Sequence, residues 1–98
     1  MILTGVGGHI SAAHRGADGG LHGHTWTVKA WFPAGEDAVA LRDRLNAVLA
    51  RFDHKELPPG MTLGEQLAQE IGLSLSGCVA VEMAREPEQI FARWQAAS

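Results

Sequence analysis

Apolar and polar positions alternate along the first third of the chain. Ile2, Thr4, Val6, Gly8, Ile10, Ala12 and His14 share one parity; after a glycine-rich break, His22, His24, Trp26, Val28, Ala30 and Phe32 share one again. Side chains two apart on a strand point the same way, so the pattern predicts two strands, each with one buried face. Pro33-Ala34-Gly35 ends that period. Ala38, Leu41, Leu45, Val48, Leu49 and Phe52 then recur at helical spacing, with Arg42, Asp43, Arg44 and Arg51 off the stripe. Pro58-Pro59-Gly60 stops the helix, and Thr62-x-x-Glu65 is a capping box for a second one carrying Leu67, Ala68, Ile71 and Leu75. Ser76-Gly77 reads as a turn. Cys78 to Met83 reads as a third strand, ending at Arg85-Glu86-Pro87. In the last segment, Gln89 to Gln95, Ile90, Ala92 and Trp94 alternate as in a strand, although Phe91 and Trp94 would also suit a short helix. We read it as a strand.

The order is strand–strand–helix–helix–strand–strand. It predicts an α+β domain, an antiparallel sheet with two helices on one face. A four-stranded sheet has two edges that must be blunted or paired. Pairing them between subunits would close a barrel, so a ring-shaped homo-oligomer is expected. A chain of 98 residues makes one domain, residues 1–98.

Three histidines stand at the ends of the two predicted strands. If the strands pair antiparallel through Arg15–Leu21, His14 closes the first strand beside His22 and His24 at the start of the second. All three imidazoles then converge at one mouth of the apolar face. Three neutral imidazoles with no fourth protein ligand describe a catalytic zinc site that keeps one position open. His9 has the opposite parity and reads as a strand-surface residue.

Bulk composition narrows the alternatives. A hydrophobic fraction of 46% with 19% charged residues suits a folded globular protein. The net charge is −3 and no basic run is present, which argues against nucleic acid and anionic membrane as partners. No apolar run approaches the ~18 residues of a membrane span, and the start MILTGVGG lacks the charged region of a secretory signal. The single cysteine, Cys78, allows no intrachain disulfide. A soluble, cytoplasmic protein is expected.

Five pieces of the chain, in order, carry a family resemblance: Ser11-Ala12-Ala13-His14, Leu21-His22-Gly23-His24-Thr25, Phe52-Asp53-His54 with Leu57, Glu65-Gln66-Leu67-Ala68, and Val79-Ala80-Val81-Glu82. Together they resemble the 6-pyruvoyl-tetrahydropterin synthase and 6-carboxy-tetrahydropterin synthase family over roughly His9 to Glu82. The resemblance implies the tunnelling fold (T-fold), in which ββααββ units join through their sheets into barrels as trimers or hexamers. It also implies a small-molecule pterin substrate bound in a pocket between subunits. His14, His22 and His24 would be the zinc ligands, Asp53 and His54 two members of the catalytic triad, and Glu82 the anchor of the pterin ring.

One departure stands out. The family's synthases place a catalytic cysteine in the spacing CxxxHGH, and here Asp18 occupies that position. An aspartate starts at a pKa of about 3.9 and is a weak base unless burial raises it, whereas a histidine near 6.5 is better matched to proton transfer. His54 is therefore the expected proton carrier. An ionised Glu82 could accept both N–H bonds from the pterin's paired donors. Three readings follow: a zinc-dependent pterin lyase on a dihydroneopterin-type substrate, a zinc- and pterin-binding homologue without synthase activity, or a side-chain-cleaving variant using Asp18. Bland roles stand beside these. Asp18 lies among glycines, where aspartate stabilises turns; Asp53-His54 could be a polar helix end; Glu65 is explained by its cap. Cys78 and the three tryptophans read as core or subunit-interface residues.

Overall fold

A computed structural model describes residues 1–15, 20–60 and 64–97, with His22 described by its backbone. Asp18 and the capping Thr62 lie outside the described residues. The alternating segments form two 13-residue strands, β1 (Leu3–Arg15) and β2 (Leu21–Pro33). Helices α1 (Ala38–Leu49) and α2 (Gly64–Leu73) follow, then β3 (Ala80–Arg85), a single 3-10 turn (Glu86–Glu88) and β4 (Ile90–Gln95). The strands make one antiparallel sheet in the order β1-β2-β3-β4. This is the α+β, ββααββ arrangement expected from the sequence.

Strand parity decides which face is buried. Ile10, Ala12, Trp26, Val28, Ala30 and Phe32 are buried, and Val81 and Met83 of β3 pair with Ala30 and Val28 on the same face. Leu41, Leu45 and Leu49 of α1, and Leu67, Ala68 and Ile71 of α2, close over it. α1 lies on β1, and α2 lies on β3 and β4. Glycine makes room for close packing of helix against sheet. A Cβ on Gly8 would meet Asn46 and Leu49 of α1, and one on Gly72 of α2 would overlap the Trp94 ring. Asp37 caps α1, its carboxylate accepting the Val39 N–H at 3.0 Å. Among the described residues no polar or charged side chain is fully buried, and no helix is long and apolar enough to cross a membrane.

Element ends differ from expectation by local hydrogen bonding. The third strand opens at Ala80 rather than Cys78, because the Cys78 N–H donates to the Leu75 carbonyl and closes a turn. Phe52 and Leu75 fall beyond their helices, yet both are buried. Apolar periodicity reported their burial correctly and their backbone less well. The fourth segment is a strand; its entry needs Gln89 in the left-handed region, at φ 58°.

Candidate metal centre

The hairpin register sets the histidines. His14 pairs with His22 and Ala12 with His24, so His14 and His24 are diagonal neighbours across the ladder. Both share parity with buried Trp26, whose ring meets His24 edge-on with centroids 5.8 Å apart. The Nε2 atoms of His14 and His24 lie 2.8 Å from each other, and the rings tilt by 35°. At that separation one Nε2–H donates to the other, so at least one imidazole is neutral there. Two nitrogens on a tetrahedral zinc sit about 3.3 Å apart, given bonds near 2.05 Å. The two nitrogens are thus about half an ångström closer than a pair sharing one zinc ion would be. The His22 side chain lies outside the described residues; its backbone stands directly across from His14. Among the described residues, no group of three His, Cys, Asp or Glu side chains is close enough to hold a metal ion.

A strap after α1 brings the second candidate pair to the same hairpin. The Ser11 carbonyl accepts from His54 N–H at 2.6 Å, Lys55 O accepts from Ala13 N–H at 3.0 Å, and Ala13 O accepts from Leu57 N–H at 2.7 Å. Buried Leu57 anchors the strap's far end. These bonds cover the open edge of β1 where the edge would otherwise be bare. Asp53 completes the clamp, its Oδ1 accepting the Ser11 N–H at 2.8 Å. Its Oδ2 lies 3.6 Å from His54 Nε2. Neighbours in extended chain point apart, but His54 has φ 57°, and this left-handed step turns its ring back toward Asp53. His54 is 82% exposed on its side chain, so its ring is free to meet a ligand.

An open cleft of about 460 Å³ runs between the strap and the hairpin, lined by Ser11, Gly23, His24, Thr25 and His54 among others. That volume falls in the usual range for small-molecule sites. His24 and His54 both border this cleft.

Glu82 is placed elsewhere. It pairs with Lys29 on one side and Arg93 on the other, on the sheet face away from the helices. Its charge therefore lies in a cross-strand row with two cations. Lys29 is five residues from His24, so Glu82 lies about 17 Å along β2 from the histidines, on the opposite face. Within one chain the two do not share a ligand. Cys78 is buried, its thiol donating to the Ala80 carbonyl at 3.3 Å. Burial pushes this thiol above its ordinary pKa, against smaller lowering effects from backbone hydrogen bonds and Arg44.

The sequence reading missed Arg85. It shares parity with Val81 and Met83, so it projects under the helices, where its guanidinium carbon lies 5.7 Å from the Trp26 ring centroid. A smaller cavity of about 160 Å³ is lined there by His14, His24, Trp26, Gly64, Glu65 and Arg85. The available signal was a charged residue in step with two buried ones.

No protein-family model and no curated protein matches this chain.

Proposed function

We propose that this chain is a zinc-dependent pterin lyase resembling the 6-pyruvoyl- and 6-carboxy-tetrahydropterin synthases, acting on a dihydroneopterin-type substrate. The observation that carries the reading is the approach of His14 and His24 through their Nε2 atoms, 2.8 Å apart, beside a cleft that also reaches His54. The donor set suits zinc in kind: two half-buried imidazoles whose Nε2 atoms meet, with His22, opposite His14 in register, as the proposed third ligand. Bound there, the ion would polarise ligand oxygens and lower the pKa of a coordinated hydroxyl.

The chain's own residues supply the rest. His54 takes up and returns protons at the side-chain carbons of the ligand, its ring being exposed beside the cleft. Asp53, tied to β1 through one oxygen, keeps its other oxygen 3.6 Å from His54 Nε2 and positions that ring. Glu82 binds the pterin ring of a ligand held by a neighbouring subunit, since its own histidines are out of reach. A homo-oligomeric T-fold barrel, trimer or hexamer, is the assembly this requires. Among the described residues the strap's backbone bonds to β1 fall at residues 11–13, and the rest of that edge and the outer edge of β4 would serve for sheet-to-sheet pairing.

One observation favours a second reading, a zinc- and pterin-binding homologue without turnover. The chain's single thiol is buried with a raised pKa and does not replace the cysteine that Asp18 displaces. A third reading gives Asp18 the role of base in side-chain cleavage.

Metal analysis of the purified protein, followed by mass-spectrometric assay against dihydroneopterin triphosphate, separates these readings. One zinc per chain, lost in His24→Ala, with turnover falling by about 100-fold or more in His54→Ala, is the expected result. Full zinc loading without turnover selects the binding homologue. Turnover abolished by Asp18→Ala but not by His54→Ala selects the Asp18-dependent variant. A folded protein that takes up no zinc overturns the proposal.

A further inference from the structure

Among the described residues, two buried side-chain nitrogens have no hydrogen-bond partner, Trp26 Nε1 and Arg85 Nε. Both belong to residues lining the smaller cavity beside His14 and His24. Buried N–H groups are almost always paired, and one left unpaired bears its full desolvation cost. An indole and a guanidinium only donate, so the missing partner is an acceptor. Arg85 is always charged, which makes an anionic acceptor the best match. Trp26 is 5% exposed, so its N–H is well shielded from bulk water.

The surroundings agree. Gly64 and Glu65, in the first turn of α2, line the same cavity, where a helix presents the positive end of its dipole. Glu88 sits 3.5 Å from Arg85 Nη2 and occupies the outer side of the guanidinium, leaving Nε to the interior. Ile90 and Phe91, 48% and 56% exposed, form an apolar lip. The opposing charges are Glu65 and Glu88, both exposed. The volume, about 160 Å³, equals that of about five water molecules, enough for one oxyanion group.

We infer that this cavity is an anion subsite, which takes a carboxylate or phosphate group of a small acidic ligand on Trp26 Nε1–H and Arg85 Nε–H. The subsite does not depend on zinc, so it stands or falls separately from the metal reading.

The test is an NMR titration of the metal-free protein at constant ionic strength, with inorganic phosphate in one arm and acetate in the other. The chain has three tryptophans, and Trp26→Phe assigns the relevant indole signal. The expected result is a saturable shift of the Trp26 Nε1–H and Arg85 Nε–H signals, with the tighter-binding anion identifying the group. Arg85→Gln should weaken binding at least tenfold and Glu65→Gln should tighten it about twofold. Trp26→Phe keeps an aromatic ring in place and should weaken binding several-fold while the Arg85 signal still moves. Shifts that are linear in concentration and equal at all three indoles mean an adventitious ion only, and overturn the proposal. So does unchanged affinity in both folded variants, which would leave water as the partner of the two donors.

Discussion

Asp53 holds the strap to β1 through one carboxylate oxygen, and this gives a stability test that separates its structural role from its chemical one. In Asp53→Ala the Ser11 N–H, partly buried and donating at 2.8 Å, loses its acceptor. Orphaning such a donor costs about 1–3 kcal/mol. The Asp53 side chain is 37% exposed, so water can partly replace it and the lower end, about 1 kcal/mol, applies. For a domain of this size that lowers Tm by about 4–8 °C. Asp53→Asn keeps an amide oxygen for the same N–H and should lose less than half as much. Thermal melts followed by circular dichroism, with chelator present so that metal binding adds nothing, make the comparison. Equal losses in the two variants, or a wild-type Tm in Asp53→Ala, would refute the clamp. If the clamp holds, Asp53→Asn should still reduce turnover at near-native stability, because the charge beside His54 is gone.

Two further outcomes follow from packing. Gly72→Ala in α2 would ordinarily gain about 0.5–1 kcal/mol of helix stability. Here the new methyl overlaps the Trp94 ring, and overpacking costs about 1–3 kcal/mol, so urea denaturation should show a net loss; a gain would mean that Trp94 does not lie on α2. Cys78, held protonated by burial, should react with a thiol reagent at neutral pH only as the chain unfolds. Its folded pKa is raised, so its contribution to stability is complete below the unfolded value of about 8.5 and is lost as pH rises through the folded one. The alkaline decline in stability should therefore be shallower in Cys78→Ala.

Much of the fold was legible because its rules are local. The period of two in β1 and β2 named the buried residues Ile10, Trp26, Val28 and Phe32 from the sequence alone. The spacing of Leu41, Leu45 and Leu49 did the same for α1. The pairing of His14 with His22 followed from the short connection between the strands. The strap was not legible. Residues 53–57 have neither period, and their hydrogen bonds go to Ser11 and Ala13, more than forty positions earlier. Glu82 illustrates the same limit. Its resemblance to a ring anchor is a matter of residue type, while its remoteness from the histidines depends on the β2–β3 register.

By itself the chain's chemistry determined which side chains turn inward, where the backbone must turn, and that His14 and His24 stand together at the hairpin mouth. Those properties depend on neighbours a few residues away, through strand pleat, helix pitch and the φ limits of proline and glycine. Folding in three dimensions decided which groups meet: His54 turned toward Asp53 by a left-handed residue, His24 sharing a cleft with the strap, and Arg85 driven under α2 against Trp26. Such meetings arise when strands and helices distant in sequence pack together, and no local period encodes them.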